Sequence, residues 1–580
     1  MERRERILRR YNILRLFLLV AFVALVASAK AQLDEDITVT AHGDAERKII
    51  FTERMAMLPN VVDTSFNAYP VSYQLIPVNI DVNLIPQTIT PVKLTVLEPL
   101  PQIYKGYIKA GLGNYLMPYA DFFYNSVRNK SRQWGVNVKH HSSQGGIKDI
   151  GYNGFNDNRV AFDLQRFYYK YSIGGKLSYD RNSFQYYGYN PEVFDTFDKK
   201  NTRQAFNIVK AQVSYQTHYK DSAKINNKLM LDYRFMNDNY SLNENYFKLT
   251  GGASKFMDKE VYGLDYSLDF NSLLQPAMGY ANGDALTNFV SLAPNQTNNA
   301  ILDINPNIRT GGENWKVRAG LAIQADIANS AKFFFYPDAE VDFSLYDDLF
   351  IPYLGVTGGL ERNSFYTMTR MNPFILSNSE FKATNNKFDF HGGIRGTVSS
   401  KISFNVRGSV KKFNDLALFV NDGIFTEANN SFRPIYDTVT LTTISAQTTY
   451  AEGEKIKLAL RGEYNIYEML REDYAWNLPN YKVTLSGVYD LADKIIARAD
   501  FFVVGDRLTT VTNEVGRPSG ATPPYELKPF VDLNLGLEYR YTKRVSAFLN
   551  LNNILNQKYE NWNFYRVQGF NVLGGVTYRF

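Results

Sequence analysis

The feature that most constrains this chain is a period-two alternation of apolar and polar residues that returns, segment after segment, from Tyr104 to Phe580. Neighbouring side chains of a β-strand point to opposite faces, so such a pattern writes a strand with one greasy and one wet face. Val531, Leu533, Leu535, Leu537, Tyr539 and Tyr541 alternate with Asp532, Asn534, Gly536, Glu538 and Arg540. A Thr542-Lys543-Arg544 turn leads into Val545, Ala547, Leu549 and Leu551 on the same parity. Tyr262 to Phe270, Trp315 to Ala325, Ile402 to Val410, Ile456 to Tyr464 and Tyr481 to Tyr489 repeat the pattern. Each run holds about 9 to 11 residues, the length a tilted strand needs to cross a bilayer.

A soluble sandwich or propeller also alternates, but its strands average about five or six residues. Here the runs are longer, charges sit on the polar parity, and Tyr and Phe crowd the strand ends, where membrane barrels carry aromatic girdles. With 41 Tyr and 40 Phe against 4 Trp, aromatics make up 15% of the chain, far from an average soluble enzyme. The expected fold is therefore all-β: a transmembrane antiparallel barrel of about 20 to 22 strands. Working back from Phe580, long links at 553–566, 507–526, 468–480, 412–434 and 362–385 alternate with short ones at 542–544, 491–494, 451–455 and 398–400. Short periplasmic turns and long extracellular loops then predict a last strand running towards the periplasm, Phe580 at that rim, and closure against a first strand near Tyr104 to Leu112.

The N-terminus predicts export. Arg3, Arg4, Arg6, Arg9, Arg10 and Arg15 form a basic region, Leu16 to Val26 an apolar one, and Ala27-Ser28-Ala29 or Ala29-Lys30-Ala31 a small-x-small cleavage site, the pattern of a secretory signal peptide over residues 1–31. An apolar stretch of about 11 residues is short for a retained anchor helix. Cleavage would remove six Arg and two Glu, and Lys30 at the later site, so the formal +6 falls to between +2 and +1 and gives no basis for nucleic-acid binding. With no cysteine, disulfides, thiolate metal sites and a lipid-modified N-terminal Cys are excluded. Seven of the 21 prolines fall between Pro59 and Pro101, a density that blocks helices and central strands. Residues 32–103 are expected to be an extended, Pro-rich periplasmic segment, and 104–580 the barrel.

Two stretches resemble a known family. Asp36, Ile37, Thr38, Val39, Thr40 and Ala41, within "DEDITVTA", resemble the TonB box of TonB-dependent outer-membrane receptors. "LNLNNILNQKYENWNFYRVQGFNVLGGVTYRF", Leu549 to Phe580, resembles their C-terminal hairpin and final strand. The resemblance implies an outer-membrane transporter in a Gram-negative cell, with TonB, the outer-membrane lipid and the barrel-assembly machinery as partners. It also implies that Phe570, Val572, Val576, Tyr578 and Phe580 form the lipid-facing β-signal read during assembly. The family's plug domain is not matched: only about 60 residues separate Ala41 from Tyr104, so inward loops, the Pro-rich segment or a partner protein must limit leakage through so wide a lumen.

No catalytic, cofactor or metal constellation is expected. His140 and His141 are adjacent on a strand pattern and point to opposite faces, so they cannot share a metal, and nothing sets a base against Ser142 or Ser143. Candidate lumen-facing charges are Lys105, Lys109, Asp532, Glu538, Arg540 and Arg579, a mixture without ion selectivity. The expectation is a non-enzymatic, transporter-like barrel for solute uptake or pore formation. The alternative is a scaffold or subunit of a larger assembly of outer-membrane or periplasmic proteins, and a passive porin is a third reading.

Overall fold

The computed structural model describes residues 103–580, apart from 128, 193–198, 201, 221–222, 281–288, 329–330, 423–429 and 511–523. The expected signal peptide (1–31), the TonB-box-like Asp36–Ala41 and the Pro-rich stretch to Pro101 lie outside the described residues.

Twenty-two strands form one antiparallel sheet that closes on itself. The first strand, Gly106–Gly113, pairs on one side with Met117–Asn125 and on the other with the last, Asn571–Arg579, in the register Ile108↔Tyr578, Ala110↔Val576 and Gly111↔Gly575. Closure joins the first strand to the last, so the sheet has no terminal strand left unpaired along its length, which a bilayer requires of a spanning sheet. Beyond the ladder, the Phe580 amide donates to the Gly106 carbonyl at 3.0 Å and its carbonyl accepts from the Lys105 amide at 2.8 Å.

Alternation becomes two surfaces. Leu177, Leu321, Phe333, Phe335, Phe390, Ile394, Leu485, Leu537 and Val576 are exposed on the outside, a continuous apolar belt of the kind that lipid covers. Inward positions hold paired charges: Asp180 with Arg159 and Lys210, Asp338 with Arg318, and Asp389 with Arg407 and Lys411. Among the described residues no helix is long and apolar enough to cross a membrane; crossing is by strands.

Strand lengths depart from the expected 9 to 11 residues in one systematic way. Glu260–Tyr280, Phe289–Gly311, Ile402–Asn421 and Phe432–Glu452 run to 21, 23, 20 and 21 residues, and the surplus stands on the side of the long connections. The long link expected over 412–434 is therefore mostly strand, with only 422–431 left as connection. The alternation fails there for a local reason. The ladder slips between Phe413 and Leu416, where Asp415 has φ 54°, a bulge that re-aims the strand. Beyond it Leu418, Phe419 and Val420 are all buried, so no polar parity survives. Two other long links hold small ribbons of their own, Arg507–Thr509 with Tyr525–Leu527 and Glu560–Trp562 with Tyr565–Arg566.

Candidate functional site

The connection between the strands Ile351–Glu361 and Thr384–Ser399 turns inward and builds the centre of the barrel mouth. Its first element is a seven-residue helix, Phe365–Met371, started by a capping box: the Ser364 hydroxyl accepts from the Thr367 amide at 3.2 Å, and the Thr367 hydroxyl from the Ser364 amide at 2.8 Å. The helix ends at Asn372, whose side chain accepts from the Phe374 amide at 3.0 Å and so redirects the chain. Ile375 then forms a parallel bridge to Phe432, with the Phe432 amide donating to the Phe374 carbonyl and the Leu376 amide to the Phe432 carbonyl, both at 2.9 Å. One connection is thereby stitched to the head of a strand elsewhere in the wall.

Apolar packing holds this cap in place. Phe365, Met368, Ile375 and Phe432 are wholly buried, in one cluster with Phe206, Met236, Leu242, Leu273, Phe419 and Tyr565 from around the mouth. The Phe374 ring lies 3.5 Å from that of Tyr565 at 15°, and Tyr187 meets Tyr565 edge-on at 4.9 Å. Full burial of each Phe or Met is favourable by roughly 1.5–3 kcal/mol, so a seven-residue helix too short to be stable alone is fixed by what it covers.

Polar anchors set its position. The buried Glu244 carboxylate accepts from the Phe365 and Tyr366 amides at 3.0 and 3.2 Å and lies 3.6 Å from Arg234. Arg362 pairs with Asp269 and donates to Asn299. Gln275 donates to the Ser377 and Ser379 carbonyls at 3.1 and 2.6 Å. Asp238, in the 238–242 turn, accepts from the Ser377 hydroxyl, from Gln204 at 3.1 Å and from the Tyr240 and Leu242 amides at 2.9 Å. Burial raises the Asp238 carboxyl above its ordinary value, against those hydrogen bonds. Burial and the neighbouring Asp238 push the Tyr240 phenol up to about 12.

The sequence-predicted residues fall elsewhere, mostly along the seam. Glu538 lies 3.1 Å from Arg579 and 3.9 Å from Arg540 and accepts from Ser546, while Arg540 also approaches Asp490 and Asp493, so these three form one network near the short-turn rim. The Lys109 ammonium lies 4.0 Å from the centre of the Phe548 ring, and Lys105 is exposed at the rim. Asp532 is remote from both, buried under Tyr559, which donates to it at 2.8 Å. Of the terminal set, Phe570, Val576 and Tyr578 are exposed on the outer face and Val572 is partly buried. Phe580 stacks with Phe122, Tyr124 and Tyr578. His140 bonds Asn158 at 2.7 Å and Ser142 at 3.1 Å, while the His141 ring packs on Tyr119 and Phe155. Among the described residues no group of three or more His, Asp or Glu is placed to hold a metal.

None of Asp238, Glu244, Gln275, Arg362, Phe365 or Phe374 was singled out by sequence reasoning. The available signal was the capping spacing Ser364 to Thr367 with Phe365, Met368, Met371, Phe374, Ile375 and Leu376 clustered behind it in a long connection.

A 22-stranded antiparallel barrel with an apolar belt, charged inward positions and connections that pack on one another in a shared core is an outer-membrane barrel of the large class. Solved structures of that class share its fold. The siderophore receptor PirA from Acinetobacter baumannii superposes with a TM-score of 0.61 at 10% identity, over 82% of this chain and 80% of that one. The ferripyoverdine receptor of the outer membrane of Pseudomonas aeruginosa, bound to ferripyoverdine, gives 0.60 at 11% over 83% and 72%. The ferric-catecholate import receptor Fiu from E. coli K12 gives 0.59 at 9% over 83% and 82%. No protein-family model matches the sequence, and neither does any curated protein.

Proposed function

We propose that this chain is an outer-membrane transporter of the TonB-dependent receptor type, whose barrel takes up a solute and whose mouth is closed at rest by the 362–383 connection. The observation that carries the reading is the buried cap around Phe365, Met368 and Phe374. A passive porin needs an open channel, whereas a cap with this much buried apolar surface opens only when binding or mechanical energy is supplied. The TonB-box-like Asp36–Ala41 is suited to receive that energy, because β-branched Ile37, Thr38 and Val39 favour an extended strand that can add to a partner's sheet. In this reading residues 1–31 direct export, 32–103 stay periplasmic, and the barrel reaches the outer membrane through the assembly machinery. The cap takes over the occlusion that a plug provides in receptors of this kind. Solute uptake and TonB association, compared between the full chain and a variant lacking Asp36–Ala41, test it: both fall if the reading is right, and unchanged values of both reject it.

The same cap also favours a second reading, a non-transport scaffold within a larger outer-membrane or periplasmic assembly, since a barrel that never opens is well served by a sealed mouth. Stable co-purification of a partner together with an intact TonB-independent phenotype would select it.

A further inference from the structure

The strand Ala331–Phe343 is paired along its whole length on one side and over only part of it on the other. Each of its residues has a partner in Trp315–Ile327. Against Ile351–Glu361 it pairs from Ala339–Asp342 with Tyr353–Val356, and once more past its end at Leu345 with Phe350. Ala331 to Asp338 therefore have no ladder partner on that side, which leaves a free edge within the wall, costly where lipid surrounds it. The Leu345 amide donates to the Phe350 carbonyl at 2.9 Å, so the odd-numbered residues are the ones whose backbone groups face this edge. Pro337 is one of them and has no N–H, and the ladder stops there.

The neighbour has left the edge because three adjacent strands bend at one level. The ladder slips between Thr357 and Gly359, between Asn386 and Phe388, and between Phe413 and Leu416. These positions face one another across the sheet, since Gly359 pairs with Asn386 and Asn386 with Phe413. Bulges aligned in this way bend the strands together. Past the bend, the Leu360 amide donates at 2.7 Å to Oε1 of Gln324, which belongs to the strand on the far side of Ala331–Phe343. Arg362 then reaches Asp269 and Asn299, further round the wall. The Tyr336 ring fills the corner left behind, donating its hydroxyl to Asn385 at 2.9 Å, and a Cβ at Gly358 would stand 2.7 Å from it.

Leu360 is out of place by its own parity. Leu354, on the same parity, is exposed on the outer face, yet Leu360 lines an inner cavity with Asp269 and Arg362. Continuing the register of Ala339 with Val356 upwards would set Pro337 against Gly358, Tyr336 against Gly359 and Phe335 against Leu360. Leu360 would then face lipid beside the exposed Phe335, and its amide would exchange the Gln324 side chain for the Phe335 carbonyl.

We infer that the bent strands form a hinged flap, which opens the mouth when Thr357–Glu361 zips onto the free edge at Phe334–Asp338. The 362–383 connection starts where the moving segment ends, so zipping draws it out of the barrel, and the Arg362–Asp269 pair is the catch that must part. Gly358 and Gly359 at the bend supply the backbone freedom. One hydrogen bond replaces another at Leu360, so the strand changes place without stranding that amide. This rests on the reading that the connection closes the mouth and adds how it opens.

A disulfide tests it in a chain that has no cysteine of its own. In Phe335→Cys with Leu360→Cys, one thiol faces outwards and the other inwards while the flap is closed. Open, the two are opposite each other with about 5.5 Å between Cα atoms, within disulfide reach. Copper-phenanthroline oxidation of the assembled barrel in lipid vesicles should form the bond, read as a loss of maleimide labelling that dithiothreitol restores. Phe333→Cys with Leu360→Cys, out of register, should react at least tenfold more slowly, and Gln324→Leu should speed the matched pair about tenfold, one hydrogen bond's worth. In a planar bilayer the oxidised matched pair should conduct and fall silent on reduction. Heat-modifiable migration in SDS confirms assembly; if the matched pair does not assemble, Gln324→Leu alone should raise the open time about tenfold. No disulfide in the assembled barrel, equal rates for the two pairs, no effect of Gln324→Leu, or a disulfide without conductance would each overturn the inference. Should the unmodified chain already conduct, the mouth-closure reading has failed, and the disulfide rates alone decide whether the strand changes place.

Discussion

Phe374 and Tyr565 stack at 3.5 Å and 15° in the barrel mouth, although one belongs to the 362–383 connection and the other to the last connection before the closing strand. Tyr565 also donates its hydroxyl to the Asn430 carbonyl, and Asn430 donates to the Tyr186 carbonyl at 2.9 Å. Four connections that are distant in sequence therefore share one core. A contact of this kind can form only if the connections turn in towards one another, and it ties them into one packed unit.

Removing one of those rings should loosen the whole unit. Phe374→Ala is expected to cost the cap about 3–5 kcal/mol, as for other buried aromatic truncations, with the barrel wall unaffected. The chain contains no cysteine, so a Leu242→Cys reporter, wholly buried in the same core, reads it out: maleimide labelling is slow alone and accelerates at least tenfold with Phe374→Ala.

The Arg362–Asp269 pair should behave as a latch in which the single Arg362 variant is more damaging than the double one. Both side chains are nearly buried, so Arg362→Met strands a carboxylate and costs the cap about 3–5 kcal/mol, whereas Arg362→Met with Asp269→Asn removes both charges and restores most of it. Labelling rates at the same reporter, arranged as a double-mutant cycle, check the sign and size of the coupling.

Acidity should tighten the cap through Asp238. Its carboxyl in the closed cap titrates above the ordinary value of 3.8 because of burial, so between the two values the closed form holds a proton that the opened form releases. The contribution is fully present below 3.8 and is lost as pH rises through the raised value. Labelling of a Met368→Cys reporter, taken as a ratio to the same reporter in Asp238→Asn to cancel the thiol's own titration, should rise across that window and level off above it.

At the seam, Gly575 faces Gly111, and a Cβ at Gly575 would lie 2.1 Å from the Ala110 carbonyl oxygen. Gly575→Val should therefore lower the yield of assembled barrel. Deleting Phe580 or replacing it with Asp should do the same, since its backbone extends the closing ladder and its ring joins Phe122, Tyr124 and Tyr578. Heat-modifiable migration of outer-membrane fractions measures both.

The wall was legible in the sequence because each of its strands meets lipid on one face and water on the other, and that contrast is written at period two. Val531 to Tyr541 and Ile456 to Tyr464 needed nothing more. The cap was not legible for the converse reason. Phe365, Met368, Phe374 and Ile375 are buried among connections that meet only after the barrel has closed, and a single helical turn or two gives too short a pattern to stand out. Leu418 to Val420 lost their alternation to burial on both faces. The charges at Glu538, Arg540 and Arg579 could be assigned to the lumen by parity, but their mutual pairing depends on the strand register, which parity alone does not supply.

The claim that the chain's own connections seal the mouth is tested most directly by single-channel conductance in a planar bilayer, comparing the full chain with a variant in which residues 364–380 are replaced by a short Gly-Ser link. The account predicts a silent or nearly silent full-length barrel and large, steady conductance from the variant. High conductance from the full-length chain, or no increase on removing the segment from an assembled barrel, would contradict it.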